Sequence, residues 1–410
     1  MEPFDLFAGL MVIAAACAWI NFKFVRLPDT IGIMAVSLVG SILLLAAGSF
    51  FPAIESNVEE WIDALHFSDI LLDIALPVLL FAGALHVNIN SLRDQWLPIG
   101  VFASAGVLIS TVLVAALSKG LFTLCGIEVP WIMCFLFGAL ISPTDPIAVL
   151  GILKTAGVPK SLETKITGES LFNDGIGVVV FLALLGFAGA GHAEPDAASI
   201  TKLFLTEAGG GLLIGLIIGY LAFLALKHVN RYQVEVLITL ALVLGGISIC
   251  HALHASAPLA MVVAGLLIGN QGRSLAMSDS TREHLDTFWT LIDEILNALL
   301  FVLIGMELVI VDWEFSYFGL GLAGILLVLA CRWISISFPL TLMKRVREFS
   351  KGATAILTWG GLRGGISIAL ALALPPSEHR PLILAMTYVI VIFSILVQGI
   401  TLKRAIQRFT

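Results

Sequence analysis

Five charged residues lie inside long apolar stretches of the sequence. They are three acids and two bases, Asp145, Glu169, Asp174, Arg332 and Arg363. On membrane-insertion scales, each charge at such a depth costs about 2.5–3.5 kcal/mol, so each residue needs a partner or a function. A carboxylate without a fixed partner can hold a proton or a small cation such as Na⁺, but not both at once.

Two of these acids belong to one predicted helix. On that helix Glu169 and Asn173 share one side and Ser170 and Asp174 share another, whereas the two carboxylates diverge by about 140°. The carboxylates can therefore have different partners.

We expect Glu169 to form a buried ion pair with Arg332, and Asp145 to pair with Arg363, because both members of the second pair lie at predicted helix breaks. Asp174 is then the acid without a fixed counter-charge, and it faces a cavity.

Oxygen atoms near Asp174 could complete a site for a monovalent cation. Candidates are the hydroxyls of Ser170 and Thr144 and the carbonyls that a broken helix leaves open, with Asn173 beside them. The sequence therefore predicts one acid that alternates between a proton and a metal ion.

Composition sets the environment of these residues. Of 410 residues, 59% are hydrophobic and 12% are charged, about half the charged share of a soluble domain, and the mean hydropathy is +1.03. These values exclude a soluble enzyme, a nucleic-acid-binding protein and a disordered tail. They indicate an all-α polytopic membrane protein, with residues 1–410 forming one integral membrane domain.

Thirteen helical spans of about 20 residues fit the apolar runs. Most of the 22 Lys and Arg residues lie in loops after odd-numbered spans, which predicts an external N-terminus and a cytoplasmic C-terminus in a cell inner membrane. The approximate limits are 4–22, 30–51, 69–88, 97–118, 130–153, 163–189, 204–226, 234–251, 257–270, 288–310, 316–341, 352–373 and 381–402.

A short internal duplication relates two of these spans. Asp73–Phe81 in span three aligns with Asp293–Phe301 in span ten, sharing the aspartate and four apolar residues. An offset of seven spans makes residues 1–190 and 232–404 two six-helix repeats of opposite orientation, joined by a connector helix at about 200–227. Inverted repeats are typical of secondary transporters.

Spans five and twelve each contain a predicted break. Ser142–Pro146 has two prolines, and Gly360–Gly365 has four glycines around Arg363. Prolines remove backbone donors, and open backbone at membrane depth must face protein or a water-filled cavity. We therefore expect two discontinuous, crossing helices. The roles of Asp73, Asp293 and Glu294 stay open between solvated residues at the mouth of a pathway and helix caps.

The segments Ser142–Pro146, Gly168–Gly175 and Trp359–Gly365, in this order, resemble the NhaP/NHE type of sodium/proton antiporter in the first cation:proton antiporter family. The resemblance implies the NhaA-like fold, a homodimer among membrane lipids, and elevator-like motion of a core domain. It also implies no cofactor and an electroneutral one-for-one exchange.

The resemblance also implies roles for the residues at the matching positions of these segments. It implies that Asp174 binds the cation, helped by Ser170, Thr144 and the neighbourhood of Asp145. Some relatives have a glutamate as an additional ligand directly after the Leu-Leu-Phe of span three, and this chain has Ala82 there.

Other functions remain as alternatives. A K⁺/H⁺ antiporter would use the same scaffold, and a cation channel would not need an inverted repeat. An intramembrane enzyme lacks support because neither G-x-S-x-G nor H-E-x-x-H occurs, and no Lys-Ser/Thr follows the glycine run to make a phosphate loop.

Overall fold

The structure is a computed structural model that describes residues 3–48, 70–145, 160–189, 197–272, 279–308, 315–343 and 352–409. The second half of predicted span five, after Asp145, lies outside the described residues. All regular secondary structure in these ranges is helical.

The helices are named here in chain order. They are α1 Pro3–Ile20, α2 Asp29–Gly48, α3 Leu76–Leu85, α4 Ile89–Asp94, α5 Trp96–Val101, α6 Val107–Leu124, α7 Trp131–Ile141, α8 Lys160–Gly189, α9 Ala197–Leu226, α10 Tyr232–Ala252, α11 Ala257–Leu267, α12 Asp279–Glu307, α13 Phe315–Met343, α14 Ala353–Trp359, α15 Gly365–Leu372, α16 Arg380–Ile392 and α17 Ile400–Phe409.

Short π-helical turns extend several of these helices. They follow α1, precede α3, join α5 to α6, follow α11, and join α16 to α17. Such turns are often found at functional positions in longer helices.

Eight continuous helices in the described ranges are long and apolar enough to cross a membrane, and four shorter apolar helices accompany them. The prediction of an all-helical polytopic membrane protein is therefore confirmed. The number thirteen stays a prediction.

Predicted span ten is part of a helix that begins earlier than the span. Hydropathy placed its start near residue 288, but α12 begins at Asp279. Its first turns are charged and polar, so the helix continues past the apolar stretch that hydropathy detects. A helix outside the hydrocarbon core needs only backbone hydrogen bonds, not apolar side chains.

The helices pack around two main hydrophobic clusters. The larger includes residues of α7, α8, α13, α15 and α16, and the smaller is built by α3 and α9–α12 around buried Trp289. Residues of α3, α11 and α12 occur in both clusters, so these three helices lie between them. We call the larger cluster the core body and the smaller cluster the scaffold body.

Close backbone contact holds part of the scaffold body together. A Cβ added to Gly215 of α9 would lie 2.9 Å from Cα of Ala260, and one added to Gly219 would lie 3.1 Å from Cα of Ala264. Small residues at this spacing let two membrane helices approach closely, which fixes α9 against α11.

Candidate functional site

Helix α7 ends where the sequence predicts a break. Its last residue is Ile141, and residues 142–145 have no regular structure. Pro143 cannot donate a backbone hydrogen bond, and Ser142 Oγ donates back to Gly138 O at 2.6 Å. A Cβ on Gly177 of α8 would overlap the ring of Pro143, so α8 packs directly against this break.

The glycine-rich break of span twelve also lies where predicted. Helix α14 ends at Trp359 and α15 begins at Gly365. A Cβ added to Gly361 would lie 2.6 Å from Nε of Arg332, and one added to Gly364 would overlap the carboxylate of Asp145. Glycine is needed at both positions because charged groups touch the backbone.

The two breaks contact each other through their backbones. Asp145 N donates to Leu362 O at 2.8 Å. Nη1 of Arg363 donates to Ser142 O at 2.7 Å and to Pro143 O at 3.0 Å. Arg363 therefore satisfies two carbonyls that the proline break leaves open. Its predicted ion pair with Asp145 stays a prediction.

Asn173 connects α8 to the proline break. Its Nδ2 donates to Thr144 Oγ1 at 2.8 Å and to Glu169 Oε1 at 3.2 Å, and its Oδ1 accepts from Thr144 N at 3.3 Å. The hydroxyls of Thr144 and Ser170 are 3.0 Å apart. The sequence placed Asn173 beside Asp174 as a cavity residue, whereas the structure uses its amide to hold Thr144.

Glu169 and Arg332 form a buried two-pronged contact. Nη1 of Arg332 is 2.7 Å from Oε1 of Glu169, and its Nη2 donates to Oε2 at 2.8 Å. The side chains are 1% and 4% exposed. This paired geometry neutralises both charges and joins α8 to α13.

Asp174 differs from Glu169. It is 2% exposed, and its buried Oδ1 accepts no hydrogen bond from the residues that the structure describes. The charges of Asp145, Glu169 and Arg363 act on it. A desolvated carboxylate without donors is costly when charged, so it needs a proton or a cation.

Several polar residues near the breaks were missed from the sequence. The hydroxyl oxygens of Ser142 and Ser110 are 2.9 Å apart, Ser394 Oγ accepts from Arg363 N at 2.7 Å, and Gln398 Nε2 donates to Trp359 O at 3.2 Å. The only signal was a polar residue in an apolar span, which cannot distinguish a contact across helices from one within a helix.

The remaining candidates occupy different surroundings. Ala82 is buried in the scaffold body. The side chain of Asp73 is 61% exposed and lies 3.8 Å from His251. Asp293 has a buried Oδ1, and its neighbour Glu294 is exposed.

This chain is similar to known membrane proteins over nearly its whole length. A family model described as sodium/hydrogen exchanger, transmembrane, matches residues 11–408. The chain is 48% identical to the Na(+)/H(+) antiporter NhaP of Pseudomonas aeruginosa, covering 98% of this chain and 96% of the relative.

Two further relatives extend the comparison. The chain is 34% identical to the antiporter NhaH of Halobacillus aidingensis, with 98% of each chain covered. Its fold is similar to that of the sodium proton antiporter MjNhaP1 from Methanocaldococcus jannaschii, with a TM-score of 0.78 at 19% identity, over 100% of this chain and 99% of the other. The chain belongs to the sodium/hydrogen exchanger family of transmembrane proteins.

Proposed function

We propose that this protein is a secondary antiporter that exchanges Na⁺ or Li⁺ for H⁺ across the membrane, with both ions competing for Asp174. The observation that carries the proposal is the buried carboxylate of Asp174, whose Oδ1 lacks a hydrogen-bond donor in the described part of the chain. The alignment with the NhaP antiporter over nearly its whole length supports the same activity.

The cation would be held by oxygen atoms. Asp174 would supply the charge, and the hydroxyls of Ser170 and Thr144 would supply neutral ligands, since each hydroxyl oxygen has two lone pairs. Asn173 positions Thr144 through two hydrogen bonds. Asp145 adjoins this shell and adds negative charge.

Charge balance supports a one-for-one exchange. Glu169 neutralises Arg332, and in our proposal Asp145 and Arg363 compensate each other at the crossing breaks. Asp174 then carries one proton or one Na⁺, and the site is neutral with either ion. Because the site has the same charge when it carries Na⁺ in one direction and H⁺ in the other, a complete cycle moves no net charge across the membrane.

The finer features of the fold are part of the proposal. We place thirteen spans as two inverted repeats around discontinuous crossing helices, with a homodimer in the cell inner membrane, the N-terminus outside and the C-terminus in the cytoplasm. The likeness to MjNhaP1 supports the overall fold, and the basic residues after odd-numbered spans support the orientation.

Replacing Asp174 tests the assignment. In proteoliposomes, Asp174→Asn keeps the side-chain shape but removes the charge, so Na⁺-driven proton movement should disappear. Glu163→Gln changes an acid in the first turn of the same helix α8 and should exchange normally. Continued exchange by Asp174→Asn would reject the role of this carboxylate.

The same vesicles test the mode of exchange. Competition requires the apparent KM for Na⁺ to rise in proportion to proton concentration at acidic pH, and independent binding of both ions would contradict it. A permeant counter-ion should leave the rate unchanged if exchange is electroneutral. Replacing Na⁺ with K⁺ separates the main alternative, a K⁺/H⁺ antiporter.

A further inference from the structure

One face of α12 packs against the second broken helix. Asp293, Asn297, Leu300 and Ile304 follow the spacing of a single helix face. A Cβ added to Gly365, the first residue of α15, would lie 2.9 Å from Leu300 Cγ and 2.9 Å from Ile304 Cδ1. The face that carries Asp293 therefore contacts the core body near the glycine break.

One carboxyl oxygen of Asp293 has no hydrogen-bond partner among the residues that the structure describes. Asn297 is buried, and its Nδ2 donates to the backbone oxygen of Asp293 at 2.7 Å and also interacts with the carboxyl group. The Oδ1 of Asp293 is buried and accepts no hydrogen bond within the described ranges.

Asp293 also lies between water and the candidate site. One turn earlier, Thr290 Oγ1 is 3.3 Å from Nε2 of His86 at the end of α3, and His86 and Asp286 are 43% and 35% exposed. On the inner side, the same face of α12 contacts Gly365, and the Asp145 carboxylate touches the adjacent Gly364. Asp293 thus lies between this partly exposed mouth and the acids near the two breaks.

We propose that Asp293 is a further residue of the transport pathway, which receives the cation between the mouth where α3 ends and the site at Asp174. In the proposed topology this mouth is cytoplasmic. A carboxylate with a buried, unused oxygen lowers the energy of a partly dehydrated cation on its way inward. The inference rests on the proposed antiport function.

The neighbouring acid gives a matched control. Asp293→Asn and Glu294→Gln each remove one negative charge at the same depth of α12, but Glu294 is exposed. In proteoliposomes with Na⁺ supplied at the mouth where α3 ends, Asp293→Asn should raise the apparent KM for Na⁺ about fivefold through the lost charge attraction. Its kcat and thermal midpoint should stay at the wild-type values, and Asp293→Glu should restore KM.

Each outcome decides a separate question. If Asp293→Asn and Glu294→Gln have the same KM as the wild type, Asp293 is not a pathway residue. A lower thermal midpoint with an unchanged KM would make Asp293 structural and would also overturn the inference. If the wild type does not exchange Na⁺ for H⁺, or if Asp174→Asn still does, the proposed function fails instead.

Discussion

The backbone opens at two places, after α7 and between α14 and α15, and different residues open each one. In span five, Pro143 prevents a regular hydrogen bond, and the carbonyls of Ser142 and Pro143 accept from Arg363. In span twelve, glycines leave space, so that Arg332 and Asp145 touch Gly361 and Gly364. The proline break exposes acceptors, whereas the glycine break admits neighbouring charged groups.

The difference shows why the breaks occur together. The donor that satisfies the proline break belongs to the glycine break, and Leu362 O in the glycine break accepts from the backbone of Asp145. Each open segment thereby satisfies part of the other. Either break alone would leave unpaired polar groups at membrane depth, each costing several kcal/mol.

The largest loss of stability is expected from replacing Arg332, whose side chain touches Gly361 in the glycine break. Arg332→Met removes the partner of Glu169 and leaves a buried carboxylate, which should lower the free energy of unfolding by about 3–5 kcal/mol. Thermal unfolding in detergent, followed by the loss of monodisperse protein, measures this change.

A double variant separates lost charge from lost packing. Arg332→Met with Glu169→Gln removes both charges and should recover most of the stability. If the double variant is as unstable as Arg332→Met alone, the pair contributes through its packing under Gly361 and not through charge compensation.

A smaller effect should follow from adding one methyl group to the glycine break. Gly364→Ala would place Cβ against the Asp145 carboxylate, and forcing a side chain into a packed position typically costs about 1–3 kcal/mol. We expect a lower thermal midpoint and slower exchange. Gly186→Ala on α8 meets no atom within 4 Å and should be silent. If Gly364→Ala and Gly186→Ala have the same thermal midpoint and the same exchange rate, the close contact between Gly364 and Asp145 is not required.

The smallest effect should come from Ser394. Its Oγ accepts from Arg363 N, so Ser394→Ala should cost about 1 kcal/mol, the usual contribution of one hydrogen bond. Ser104→Ala removes an exposed hydroxyl that bonds its own helix and should leave the thermal midpoint unchanged. If Ser394→Ala lowers the thermal midpoint more than Gly364→Ala does, the proposed order of the two effects is wrong.

The sequence predicted the breaks better than their partners. Proline and glycine restrict or free the local backbone, so the interruptions near Ser142 and Gly360 could be located without tertiary information. The binding of Arg363 to carbonyls was not predicted, because pairing by charge considers only acids and bases. Asn173 was placed on the correct helix, but helical spacing cannot tell which neighbouring helix its amide contacts.

Buried hydroxyls were the least accessible to prediction. Ser394 and Ser142 occur in apolar spans where serine usually bonds its own backbone, so nothing local distinguishes them. The helix limits at charged ends also differed, as at Asp279, because hydropathy records the lipid-facing length and not the whole helix.

The hydrogen bond between Asp145 N and Leu362 O has a mechanical consequence. Together with the two bonds from Arg363, it fastens segments more than 200 residues apart in the sequence. Sliding one segment without the other would strand three backbone oxygens in hydrocarbon. An ion held between them would therefore be carried by a single rigid unit, and the flexible joints must lie elsewhere in the chain.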